Sequence, residues 1–201
     1  IYESVVVTWI IMAVVIVLCI LLTRNLSVEH PGRRQIILET AVNGLNNFFR
    51  DTIGENGKQY IPYLMTVAIY IGIANLIGLL GFKPPTKDLN VTAALAIMSI
   101  VLIEYAGIHQ KGVKRWLKGF AEPIALVAPI NVLELFIKPL SLCMRLFGNV
   151  LGAFVIMELI EYIMPVGLPV VFSMYFDIFD GLIQAYVFVF LTSMYIKEAI
   201  E

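Results

Sequence analysis

A lone arginine in apolar surroundings is the residue of this chain that most demands a chemical role. Arg145 sits in Leu140-Ser141-Leu142-Cys143-Met144-Arg145-Leu146-Phe147-Gly148-Asn149, and no acidic residue lies between Glu134 and Glu158 to pair with it along one helix. If that run crosses a bilayer, placing the guanidinium near the centre costs at least about 2.5–3.5 kcal/mol, which marks a functional group by default. The plainer roles are an arginine that snorkels to the interface or pairs with an acid on another helix. At helical spacing Ser141 and Asn149 lie one turn to either side of Arg145, with Lys138 and Glu134 further along the same side. Gly148 and Gly152 flatten the adjacent stripe, so another backbone can come close. A polar stripe beside a small-residue stripe suits a sliding or water-lined contact better than a lipid face.

A second set of polar groups follows near the C-terminus. Asp177, Asp180, Gly181 and Gln184 share one face of a regular helix. Intramembrane carboxylates turn toward a partner helix or an aqueous cavity rather than toward lipid. Glu158 and Glu161 close the segment that carries Arg145, and the turn Pro165-Val166-Gly167-Leu168-Pro169 follows at once. That turn brings the two glutamates toward Asp177 and Asp180. Ordinary solvation at a helix end is the competing role, most of all for Glu161. Carboxylates so arranged can relay a proton or attract a sodium ion, since oxygen ligands suit either.

Membrane helices must position these groups. The chain has 201 residues, 60% of them hydrophobic and only 14% charged, with a mean hydropathy of +0.88. A soluble domain runs at about 45–50% apolar and about 25% charged, so the excess points to several spans. The expected fold is an all-α integral membrane protein with five membrane helices in one membrane domain, 1–201. The first span covers about 5–22. Segment 23–60 carries an amphipathic helix through Ile36, Ile37, Ala41, Leu45, Phe48 and Phe49. Spans of about 61–81 and 91–108 follow, and a basic stretch, Lys111 to Lys118, ends near Ala121-Glu122-Pro123. The Arg145 helix then covers about 129–164 and the last helix about 170–199.

At 1.5 Å per residue the last two helices are about 54 and 45 Å long, against a hydrocarbon core about 30 Å thick. They must therefore tilt, kink or fold back, and Pro139 offers a kink site. A strongly tilted C-terminal hairpin beside a partner is the expected result. Arg24, Arg33, Arg34, Arg50 and Lys58 in one loop, with Lys111, Lys114, Arg115 and Lys118 in another, outweigh Lys83 and Lys87 on the opposite side. The positive-inside rule then puts the N-terminus outside and the C-terminus in the cytoplasm. The chain opens at Ile1, with Glu3 and no basic leader, so its first apolar run does not read as a cleavable signal, and the missing initiator Met points to a longer product.

Other functions are excluded or disfavoured. A net charge of −1 argues against a nucleic-acid partner. No phosphate-binding glycine loop occurs, so no nucleotide or other cofactor is expected. Cys19 and Cys143 lie in apolar runs as packing residues, without metal-ligand spacing.

The run from Lys138 to Asn149 closely resembles the signature of subunit a of bacterial-type F-type ATP synthases. Asn75-Leu76-Ile77-Gly78-Leu79, Pro85-Thr86 before Asp88-Leu89-Asn90-Val91-Thr92, and Gln184-Ala185-Tyr186-Val187-Phe188 extend the resemblance over nearly the whole chain. The resemblance implies a membrane stator subunit, not an enzyme by itself, in the bacterial inner (plasma) membrane. It would abut a rotor ring of subunit c, each copy bearing one buried carboxylate, with peripheral-stalk subunit b, other synthase subunits and lipid as further partners. Two offset half-channels would reach the ring from opposite sides, with Arg145 between them and Asn149 and Gln184 as polar supports. Many members carry a glutamate nine residues after the arginine, where this chain has Phe154. Several have histidine seven residues before the glutamine, where this chain has Asp177. Glu158 and Asp177 are the expected replacements, with Asp180, Glu161 and Ser141 completing the candidate ion path, and the ion is either proton or sodium. The rival class is a secondary transporter whose buried arginine binds an anionic substrate; such folds often show repeats, and this chain has none.

Overall fold

The computed structural model describes residues 3–122 and 124–201. Pro123, where the basic stretch is expected to end, and Ile1 lie outside them. Every regular element among the described residues is helical. The α-helices are α1 (Glu3–Thr23), α2 (Arg33–Ile53), α3 (Ile61–Leu76), α4 (Leu89–Lys111), α5 (Val113–Gly119), α6 (Ala128–Ile163), α7 (Leu168–Ser173) and α8 (Gly181–Ile200). Short 3-10 turns extend or join several of them, and Met174–Asp180 is wound as a π-helix between α7 and α8. Five helical runs are long and apolar enough to span a membrane: Glu3–Thr23, Glu55–Leu80, Leu89–Lys111, Ala125–Ile163 and Leu168–Ile200. The chain is an all-α integral membrane protein, as its composition requires.

Packing centres on α8, which lies against α2, α3 and α4, while α4 also backs α6. Leu64, Ile71, Ile103, Leu142, Leu146 and Ile196 are fully buried there. Lipid tails are as apolar as leucine, so helices in a membrane associate by close packing and small residues rather than by escape from water. The seams accordingly hold Ala74, Ala106, Ser99 and Ser193, all fully buried. Their hydroxyls are satisfied inside the bundle, as a bilayer demands. Ser193 Oγ donates to the Val189 carbonyl at 2.6 Å and Thr192 Oγ1 to the Phe188 carbonyl at 2.9 Å. Tyr63 and Ser99 share a 3.1 Å hydrogen bond between α3 and α4.

Outside this core the helices are loosely held. α1 buries only Val7 and Ile11, and is tied on by Ser4 Oγ donating to Asp88 Oδ2 at 2.5 Å and by a 3.0 Å contact between Thr8 and Tyr70 hydroxyls. α2 is amphipathic: Phe49 and Ile53 are buried, Ile36 and Ile37 exposed, and the Phe48 ring stands 5.6 Å from that of Tyr186 on α8. α6 runs unbroken for 36 residues through Pro139 and buries only Leu142, Cys143 and Leu146. The rest of its surface is half-buried or exposed.

The last helical run differs from a regular helix over 170–199. It starts at Leu168, where Gly167 (φ 88°) makes the turn and Pro169 fits a first helical turn that needs no N–H donor. It then widens through Met174–Asp180 before resuming as α8. Hydrophobic periodicity does not register this, because α and π winding bury the same residue types. A π-helix inside an α-helix is rare and is frequent at functional sites, and this one contains Asp177 and Asp180.

Candidate functional site

Two clefts open on the hairpin made by α6 and the last helical run, one near its turn and one near the C-terminal end of α8. The turn-end cleft has a volume of about 350 Å³, and Glu158, Glu161, Asp177, Asp180 and Gln184 all line it. The turn 164–167 sends the chain back on itself, so the acidic end of α6 meets the acidic beginning of the last run. Ser173 Oγ donates to Asp177 Oδ2 at 2.7 Å, one turn earlier on the same helix.

The wall opposite α6 is knotted by Asn75. Its Nδ2 donates to the Gly181 carbonyl at 2.9 Å, and its Oδ1 accepts from Thr86 Oγ1 at 2.7 Å. Three segments meet there: the end of α3, the start of α8 and the connection leading into α4. Two glycines make the approach possible. A Cβ on Gly181 would lie 2.9 Å from the Asn75 Cβ, and one on Gly78 would lie 3.0 Å from Asp177 Oδ1. At Gly181 the Asn75 side chain already fills the space a methyl group would need, whereas at Gly78 the Asp177 carboxylate would have to give way.

Lys87 enters the same cleft from the short helical turn Pro85–Lys87. Its Nζ lies over the Phe154 ring, 2.7 Å from the centroid. Burial pushes the Lys87 ammonium below the usual lysine range, the charge of Glu158 works against that shift, and Lys83 adds to it.

The second cleft, about 210 Å³, is lined by Glu104, Arg115, Asn131, Glu134, Lys138 and Glu198 among others. Lys138 Nζ bridges Glu198 Oε2 at 3.3 Å and Glu134 Oε1 at 3.4 Å. Trp116 Nε1 donates to Glu104 Oε2 at 2.9 Å. Here the chain places Lys138 and Glu134 in an ion-paired group with α8 rather than leaving them as a bare stripe beside Arg145.

Arg145 lines neither cleft. On α6 the turn-end cleft reaches inward to Val150 and the other reaches up to Lys138. At 1.5 Å per residue these positions stand about 7.5 Å and about 10 Å from Arg145 along the axis, on opposite sides of it. Arg145 and Asn149 are exposed, as are Met144, Gly148 and Gly152 around them. Among the described residues the guanidinium forms no ion pair. Ser141 is half-buried, Glu158 and Glu161 exposed, Asp177 and Asp180 half-buried, and Gln184 buried.

Of the residues expected to form one path, the structure gathers the four acids and Gln184 in one cleft and leaves Arg145, Asn149 and Ser141 outside it. Lys87 and Asn75, which line that cleft, and Thr86, bonded to Asn75 in its wall, were not among the candidates. Lys87 belongs to a connection that only tertiary folding lays over α6. Asn75 and Thr86 stand in the resembling segments, but nothing in their spacing signals the bond between them. Among the described residues, no three carboxylate, histidine or thiol side chains converge as a metal-holding group.

Comparison with known proteins bears on what this arrangement serves. The family described as ATP synthase A chain matches residues 5–197 of the chain. ATP synthase subunit a of Moorella thermoacetica is 38% identical over 202 residues, which span 100% of this chain and 92% of that protein. ATP synthase subunit a of Geotalea daltonii is 36% identical over 204 residues, 99% of this chain and 88% of its own. For ATP synthase subunit a 1 of Hahella chejuensis the figures are 34% over 206 residues, 100% and 85%.

Proposed function

The chain belongs to the ATP synthase A chain family, and from that premise we propose that it carries ions to and from the rotor of a bacterial F-type ATP synthase. As a member it is a multi-pass subunit of the synthase's membrane sector, acting with the other subunits of the complex and not as their catalytic part. In our reading the two clefts are half-channels to a ring of subunit c, and Arg145 separates them. The observation that carries it is the position of Arg145, exposed on α6 between two polar clefts that approach it from opposite ends.

The chemistry follows from the guanidinium. Arginine stays protonated in a poor dielectric, where a buried lysine can lose its charge. A ring carboxylate crosses lipid neutral, having bound its ion. As it nears Arg145 the positive field lowers its pKa and favours release of the ion into one cleft. Once past, it refills from the other. The same fixed charge repels a cation that would leak directly from cleft to cleft, a repulsion that strengthens as water is excluded. Glu158, Asp177, Asp180 and Glu161 guide the ion along the turn-end cleft, with Gln184 at its inner wall. Asn149 and Ser141 support Arg145 on the face that meets the ring.

Basic residues in the loops favour an outer N-terminus and a cytoplasmic C-terminus. The turn-end cleft is then the outer half-channel and the cleft around Lys138 the inner one. The overlong hairpin runs aslant beside the ring, and peripheral-stalk subunit b docks on the cytoplasmic side. The carried ion is a proton or a sodium ion.

The test is ATP synthesis by the reconstituted whole complex under an imposed ion gradient. Arg145→Ala is expected to abolish synthesis while the complex still assembles, and Asp177→Asn or Glu158→Gln to slow it less severely. Normal synthesis by the arginine variant would defeat the proposal.

A further inference from the structure

The turn-end cleft holds a feature that a simple acidic vestibule lacks. Lys87 reaches across it from the α3–α4 connection and sets its ammonium on the Phe154 ring. Glu158 lies one helical turn beyond Phe154, and its charge acts on Lys87. The lysine is held there by its backbone, because the adjacent Pro85 and Thr86 are buried and Thr86 is bonded to Asn75. The face of an aromatic ring attracts a cation electrostatically, so Phe154 gives the ammonium a fixed seat.

We propose that Lys87 is a specificity-determining residue: a tethered cation, seated on Phe154 beside Glu158, that makes the turn-end cleft a path for protons and turns sodium away. This rests on reading that cleft as a half-channel. Sodium is a hard cation that needs several oxygen ligands at once and a net negative field. Lys87 and Lys83 both line the cleft with Glu158, and their positive charges cancel part of that field. A proton needs only one acceptor oxygen at a time.

The test uses the whole synthase in vesicles, with synthesis driven by a fixed proton gradient. Sodium on the side of the turn-end cleft is raised against choline at constant ionic strength. The wild type is expected to be indifferent to sodium. Lys87→Met keeps the apolar stem and removes the charge, and sodium should then inhibit synthesis at a concentration at least about tenfold below any effect on the wild type. Lys87→Arg should behave as the wild type, and adding Glu158→Gln to Lys87→Met should remove the sodium sensitivity. Synthesis by the wild type under a sodium gradient alone would overturn the proposal, as would a Lys87→Met complex indifferent to sodium. If Lys87→Met and Lys87→Gln both fail to assemble while Lys87→Arg assembles, the residue is structural and the proposal fails. Arg145→Ala in the same vesicles separates the two ideas. Synthesis surviving there defeats the half-channels themselves, whereas synthesis lost there with Lys87→Met indifferent to sodium defeats only Lys87.

Discussion

Asn75 uses both ends of its amide inside the wall of the turn-end cleft, and little else there can take its place. Thr86 is fully buried, so replacing Asn75 by leucine strands its hydroxyl without a partner. A stranded buried donor costs about 1–3 kcal/mol. Asn75→Leu should therefore lower the melting temperature of the purified complex, and Asn75→Asp should lower it too, because its second carboxylate oxygen would face the Gly181 carbonyl with no proton to donate. Equal melting of all three would mean the knot adds nothing to stability. At this scale the sequence was informative where the cost of a group is large and local. Arg145 stands out because a guanidinium in an apolar run is expensive in lipid, and the acids stand out for the same reason. Asn75, Thr86 and Lys87 do not, since asparagine, threonine and lysine occur equally well in exposed connections. Their significance depends on which chain segments fold together.

Between elements, the spacing of helices is set by glycines of two different kinds. Gly181 lies where α8 meets α3, and a methyl group there would press on Asn75. Gly148 lies on the outer face of α6, and a methyl group there would meet nothing of this chain within 4 Å. Gly181→Ala should destabilise the subunit by about 1–3 kcal/mol through overpacking, read as a lower melting temperature. Gly148→Ala should leave that temperature unchanged and still slow ion-driven synthesis, because in the proposed function the space it fills is the one the ring passes through. Full synthesis by Gly148→Ala would argue that no close partner faces this stripe. The five spans were legible because each is a long apolar run closed by charge, proline or glycine. The π-wound stretch was not, because its residues are the ones a plain helix would also use. It is a matter of hydrogen-bond register rather than of composition.

Taken whole, the two clefts on the hairpin share no lining residue among the described residues, and the exposed Arg145 lies between them. If a rotor ring completes the path as proposed, vesicles carrying the membrane sector stripped of that ring should stay tight to protons in a dye-quench assay, and passage should return when the ring is restored. Leakage without the ring would instead favour a self-contained transporter. Loop charges carry the expected orientation, but a bundle of helices alone holds no record of which way it faces. The centrality of α8 has a consequence for how the protein is made. It contributes Phe188, Val189, Ile196 and Ile200 to the main core and touches α2, α3 and α4, yet in chain order it follows all of them. Until α8 is made the earlier helices stand in the bilayer with their seams unfilled, and Asn75 lacks its carbonyl partner. Nascent chains stopped before Gly181 should thus be degraded by membrane quality-control proteases faster than chains that include α8.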